Sequence, residues 1–238
     1  MLFRSLHLHP NWTGAQAGDR GAAYGPFELI DYSLAEQVEL IAGAADMLTA
    51  AGAPDPIAFR SGSYSASDDT LAALAKLDFV YDSSHNGSEH PWPSAIGLGP
   101  RQIAPVRHRG IIEVPVTLIE DQKGHLRHFQ ICALSAGEMK AALDHAVREG
   151  HAAVTVVSHG FELANRAGTR ANAVHVRRFA ALCRMLAERQ DVLETAHFAD
   201  RPAMVLDQDD APLGPSVLRT RLRQAEQLWS NWVEERAA

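Results

Sequence analysis

Short β-branched runs alternate with capped amphipathic helices along most of this 238-residue chain, and that alternation sets what it can fold into. A helix between two strands forces a crossover, so the strands run parallel and the helices cover them. The strand-like runs are Phe3 to His9, Ile57 to Arg60, Phe79 to Asp82, Ile111 to Ile119, Leu126 to Ile131, Ala153 to His159 and Val192 to Ala196. Between them, Ser33-Leu-Ala-Glu36 has the form of a capping box, and Leu34, Val38, Ile41, Ala45 and Leu48 follow at helical spacing until Gly52. Ser67-Asp68-Asp69 opens a shorter helix, Leu71 to Leu77, with its acids at the positive dipole end. Ser135-Ala-Gly-Glu138 repeats the capping box before a helix that stops at Gly150. A fourth helix, Ala173 to Gln190, carries Val176, Phe179, Ala180 and Cys183 on one face. The last begins near Pro215, with Leu218, Leu222, Ala225, Trp229 and Trp232 as its stripe, a docking or core surface. The expected fold class is therefore α/β, a mainly parallel sheet with outer helices, closed or nearly closed as a barrel.

Two stretches depart from strict alternation. Residues 86–110 are rich in Pro, Gly and His and read as a long surface loop, and residues 120–128 read as a hairpin turn. The organisation expected is a barrel over 1–205, followed by an acidic linker and amphipathic helix over 206–238. A chain of this length buries about 70–75% of its unfolded surface and needs no disulfide staple. Cys132 and Cys183 lie in apolar runs and read as buried free thiols. A net charge of −7 argues against nucleic acid, whose phosphates demand clustered Lys and Arg. No stretch approaches the ~18 apolar residues of a membrane span. The first residues show no basic region followed by an apolar core, which points to a cytoplasmic protein.

Chemistry concentrates at three strand ends. His7 and His9, two apart on a strand, project to one side while Leu6 and Leu8 face the other. Pro10 ends the strand, so both imidazoles sit at its C-terminal end, the active end of α/β barrels. Two imidazoles are half of a zinc site, and equally they could be exposed strand-end histidines. Phe59-Arg60-Ser61-Gly62-Ser63-Tyr64-Ser65 links a strand to a helix start. Its turn offers backbone N–H groups to an oxyanion and a fixed Arg to a carboxylate, or is an ordinary surface loop. Val156-Val157-Ser158-His159-Gly160 puts a third imidazole at a strand end, suited to general acid work or merely exposed. The other histidines (85, 90, 108, 125, 128, 145, 151, 175 and 197) read as solvated.

These segments together resemble the polysaccharide deacetylases, also called NodB-homology proteins or carbohydrate esterase family 4. Phe59 to Leu71, running on to Tyr81-Asp82-Ser83-Ser84, resembles the family's third motif. His7-Leu-His9-Pro10 is similar to the variant second motif of a bacterial branch, and Val157-Ser158-His159-Gly160 to the final motif. The resemblance covers about residues 5–200. It implies a distorted (β/α) barrel, a divalent metal, usually zinc, and removal of acetyl groups from N-acetylated sugars. Carried over, His7 and His9 are metal ligands, His159 is the general acid, Arg60 steadies the catalytic carboxylate, and the Tyr64 N–H helps form the oxyanion hole. Two departures stand out. Ser63 replaces the usual Pro before the aromatic residue. The first motif, which supplies a base Asp and a ligand Asp, does not precede His7, as though the barrel's first strand were missing. Asp19, Asp31, Asp82 and Glu113 are the acids that could substitute.

Three readings follow. The first is a zinc-dependent deacetylase of N-acetylated carbohydrate whose activity is compromised without that Asp. The second is a catalytically dead barrel that binds glycan or a protein partner. The third, a barrel metallohydrolase of the amidohydrolase or histidinol-phosphatase kind, also opens on H-x-H but leaves residues 59–84 without a role. An open barrel edge would favour homo-oligomers.

Overall fold

The computed structural model describes residues 5–12 and 27–234. The chain divides into two compact units, one from Met1–Pro115 with Ala196–Asp209, the other from Val116–Thr195 with Asp210–Ala238.

The first unit is built on strands β1 (Ser5–Leu8), β2 (Ala58–Ser61), β3 (Ala66–Ser67), β4 (Tyr81–Asp82), β5 (Ser94–Ala95), β6 (Val106–His108) and β7 (Ile111–Glu113). Its helices are α1 (Leu34–Ala50) and α2 (Asp68–Lys76). The main sheet has the order β1-β2-β4-β7-β6, with β1, β2, β4 and β7 parallel and β6 antiparallel to β7. β3 and β5 form a separate parallel pair. Among the described strands β1 lies at an edge of the sheet, paired to β2. Leu6, Phe59 and Ile111 from the sheet pack with Ile41, Ala44, Leu71 and Leu74 of the helices. α1 starts as its sequence requires: Ser33 Oγ accepts from the Glu36 N–H at 3.4 Å and Glu36 Oε2 accepts from the Ser33 N–H at 2.8 Å.

The second unit holds an antiparallel hairpin, β8 (Leu118–Gln122) and β9 (His125–His128), where the sequence calls for one. It also holds α3 (Ala136–Glu149), α4 (Ala173–Ala187) and α5 (Val217–Trp229), the last continued by a π-helical turn, Ser230–Glu234. α3 begins on the expected Ser135–Glu138 capping box and ends on Gly150 in the left-handed conformation, φ 69°. Ile119, Phe129, Ile131, Met139, Leu143 and Leu182 make its core.

Several expectations fail. The run Ile111 to Ile119 is two strands separated by Val114–Thr117, not one. Ala153 to His159 forms an isolated bridge, Gln130 to Val157, rather than a strand, and Val192 to Ala196 forms none. The loop over 86–110 contains β5 and β6. On α4 the stripe Val176, Phe179 and Cys183 is exposed, while Val174, His175, Arg178 and Leu182 are buried. Arg178 can be buried because its guanidinium bonds Glu226 at 2.7 Å and the Cys132 carbonyl at 2.9 Å. Both cysteines are free; Cys132 is half-buried and Cys183 exposed.

Candidate functional site

β1 and β2 pair with His7 opposite Arg60 and Leu6 opposite Phe59. Paired residues of a parallel sheet share a face, so Leu6 and Phe59 enter the core while His7 and Arg60 take the other side. Both imidazoles are exposed. Their Nε2 atoms are 3.1 Å apart, with the rings edge to face at 4.7 Å. His7 Nδ1 donates to the Arg60 carbonyl at 2.8 Å, which leaves its Nε2 as the lone-pair nitrogen. A tetrahedral ion bonded at about 2.0–2.1 Å to two nitrogens spaces them by roughly 3.3 Å. The 3.1 Å contact is a hydrogen bond, His9 Nε2–H donating to His7 Nε2, and its length is close to the spacing of two positions around one ion. Among the described residues no group of three or more His, Cys, Asp or Glu converges to complete such a set.

The turn after β2 closes against this pair. Gly62 lies under the His9 ring, and a Cβ there would fall inside the contact distance of His9 Nδ1, Cγ and Cε1. Ser63 and Tyr64 follow with φ of 55° and 58°, two successive left-handed residues without a glycine. Each such residue costs about 1 kcal/mol or more, so the surroundings must hold the turn. Ser65 N–H bonds the Gly62 carbonyl at 3.0 Å, and Ser61 Oγ donates to the Ser65 carbonyl at 2.6 Å. Glu28, 8% exposed, lies within electrostatic reach of the Ser63 and Ser65 hydroxyls. Burial raises its pKa, against the pull of those two hydroxyls. Proline, locked near −65°, could not take the φ of 55° at Ser63.

Of the four acids singled out in the sequence, Asp19 lies outside the described residues. Asp31 accepts from the Glu28 N–H at 2.9 Å. Asp82 and Glu113 are fully buried and directly paired in register, opposite Phe59 and so on the face of Leu6, away from His7. Ser84 Oγ donates to Asp82 Oδ1 at 2.7 Å and itself accepts from the Ser61 N–H at 2.9 Å. The His85 N–H donates to Glu113 Oε1 at 2.9 Å. The two carboxyls thus anchor the ends of β2 and β4 from beneath the turn. Burial, then the Asp82 charge, drives the Glu113 pKa well above the ordinary carboxylate range.

His159 belongs to the second unit. Its Nδ1 donates to Glu162 Oε1 at 2.9 Å, the same oxygen that accepts from Gln130 Nε2, and its ring stacks on Phe161. Glu162 is 97% buried at its side chain and His159 is 31% exposed, so a fixed carboxylate orients an accessible imidazole. Glu162 and Glu28 escaped the sequence reading, which had Gly62 only as part of a turn offering N–H groups; the His-x-x-Glu spacing of 159 and 162 is the signal that could have flagged Glu162. Two histidines expected to be solvated are buried: His85, whose pKa burial lowers to about 4, and His175, whose Nδ1 donates to the Glu162 carbonyl at 2.7 Å.

No family model and no curated protein matches the chain. Among solved structures, it is similar to a crystal structure from Mycobacterium smegmatis described provisionally as a polysaccharide deacetylase. The identity is 17% and the TM-score 0.46, over 76% of this chain and 63% of that one. The chain thus spans less than two thirds of that structure's length.

Proposed function

We propose that this chain is a metal-assisted amide hydrolase of the polysaccharide deacetylase type, removing N-acetyl groups from the sugars of a polysaccharide or glycoconjugate. One observation carries the reading: His7 and His9 hold their Nε2 atoms 3.1 Å apart, with His7 clamped by the carbonyl of Arg60 on β2, the strand that leads into the strained turn at Gly62–Tyr64. His7 and His9 would hold the ion, zinc by the preference of imidazole. When bound, such an ion polarises an amide carbonyl and acidifies water. The chain's own residues do the rest. Gly62 lets His9 approach the turn, the Ser61 hydroxyl holds it with Glu28 beside it, and Arg60, on the face of His7, would orient an anionic group. His159, held by Glu162, is an imidazole fit to protonate a departing amine. The reading brings with it the distorted (β/α) barrel of that family, of which β1, β2, β4 and β7 would be parallel staves.

The incomplete ligand set among the described residues favours a second reading, a deacetylase-like unit that binds glycan without cleaving it. One experiment separates the two: acetate release from an N-acetylglucosamine tetramer with added zinc, measured beside tetramer binding. Release that falls at least ~10²-fold in His159→Ala supports the hydrolase, the usual loss for a general acid. Binding without release supports the second reading. Neither binding nor release would sink both.

A further inference from the structure

α5 is turned inside out. Its buried side is polar: Thr220 Oγ1 donates to the Asp121 carbonyl at 2.8 Å, Arg223 bonds Asp121 at 2.8 Å and Glu138 at 3.1 Å, and Ser230 meets Asn172. These bonds fix the helix with its apolar stripe outward. Leu218, Leu222, Trp229 and Trp232 are each more than half exposed, Ala225 is exposed between them, and Val217 and Leu228 flank them at 70%. With each aromatic offering ~150 Å² and the leucines somewhat less, the stripe presents on the order of 600 Å². That exceeds what single surface residues explain and approaches the ~800 Å² that each partner buries in a stable dimer.

The spacing of the stripe identifies the occupant. Leu218, Leu222, Ala225 and Trp229 advance by four, three and four along α5, the a/d spacing of a coiled-coil seam, and Trp232 on the π-helical turn lies beside Trp229 with ring centroids 6.3 Å apart. Such a seam matches another of the same period, and a second copy of this chain supplies it by symmetry. Size then selects the direction. Parallel helices in register would crowd Trp229 on Trp229 and Trp232 on Trp232 while leaving a gap at Ala225. Antiparallel helices set a against d, placing Ala225 on the partner's Trp229 and Leu222 on the partner's Trp232, large against small. A lipid surface fits less well. Only Arg219 and Arg221 flank the stripe on its basic side, Glu226 borders it too, and the chain carries −7 overall.

We propose that α5 is a homodimerisation helix, pairing antiparallel with α5 of a second copy about a twofold axis near residue 227. The test is the mass of the full chain by light scattering at ~50 µM. The expected result is twice the monomer mass for the native chain and the monomer mass for Leu222→Gln/Trp229→Gln, with unchanged far-UV circular dichroism. Both substitutions fall on exposed side chains, so the fold is not at stake; were the spectrum to change, cross-linking decides. In a Cys183→Ser background, a short bismaleimide should join Leu228→Cys copies, which flank the axis. It should not join Val217→Cys copies, roughly 30 Å apart along the paired helices at 1.5 Å per residue. A native monomer, a dimer that survives the double substitution, equal cross-linking at 217 and 228, or a monomer that instead sediments with phosphatidylglycerol vesicles would each overturn the proposal.

Discussion

Replacing Glu113 by Gln tests whether Asp82 and Glu113 share one proton. Both are fully buried and face each other across β4 and β7. Two buried carboxylates in contact cannot both ionise cheaply, and burial with the Asp82 charge holds the proton on Glu113. Among the described residues the hydrogen-bond donors to the pair are neutral, among them the Ser84 hydroxyl and N–H on Asp82 and the His85 N–H on Glu113. In the unfolded chain Glu113 loses its proton near pH 4.3. Above that pH the native state therefore binds more protons than the unfolded one, and stability falls as pH rises until the pair itself titrates. Each pH unit in that window costs up to ~1.4 kcal/mol. Glutamine keeps the shape, donates to Asp82 at every pH and removes the titration. The buried His85 imidazole acts in the opposite sense, losing stability below about pH 6.5, but it is common to both proteins and cancels in their difference. Urea unfolding from pH 5 to 8.5 should show Glu113→Gln within ~1 kcal/mol of the native chain at pH 5. At pH 8.5 it should exceed the native chain by on the order of 2 kcal/mol. A difference that stays flat with pH would refute the shared proton.

Three further substitutions probe the first unit. Asp68 accepts from the Gly97 N–H at 3.0 Å, His108 at 2.8 Å and Arg109 at 2.8 Å; although burial opposes it, these partners hold its pKa down at about 2. Its stabilisation is present above the unfolded value near 3.9 and fades as pH falls toward 2, so Asp68→Asn should cost ~1 kcal/mol at pH 7 and little at pH 2 by thermal melts. Ser63→Pro cannot adopt the φ of 55° and should destabilise by about 3 kcal/mol or more in urea titrations; a neutral effect would disprove the turn geometry. Gly62→Ala forces the His9 ring aside and should weaken zinc binding at least ~10-fold while leaving the circular dichroism spectrum intact.

What the sequence made legible was local. Ser33–Glu36 and Ser135–Glu138 specify helix starts through bonds made within one turn, and they form as expected. The alternation Leu6, His7, Leu8, His9 orients its side chains because the strand period is two. Partnership across the chain was not legible. Arg178 and Arg223 look like surface cations until Glu226, Asp121 and Glu138 arrive from distant segments, and they then turn the α4 and α5 stripes outward. Glu28 reaches the 62–65 turn only through the fold, and the choice among Asp31, Asp82 and Glu113 required the register that puts Asp82 beside Phe59.

Titrating zinc calorimetrically into the native chain and into His9→Ala shows whether His7 and His9 act as one metal-binding pair. Binding is expected in the native chain and its loss in His9→Ala, whose fold is unchanged because His9 is exposed. Equal zinc affinity in the two proteins would contradict it.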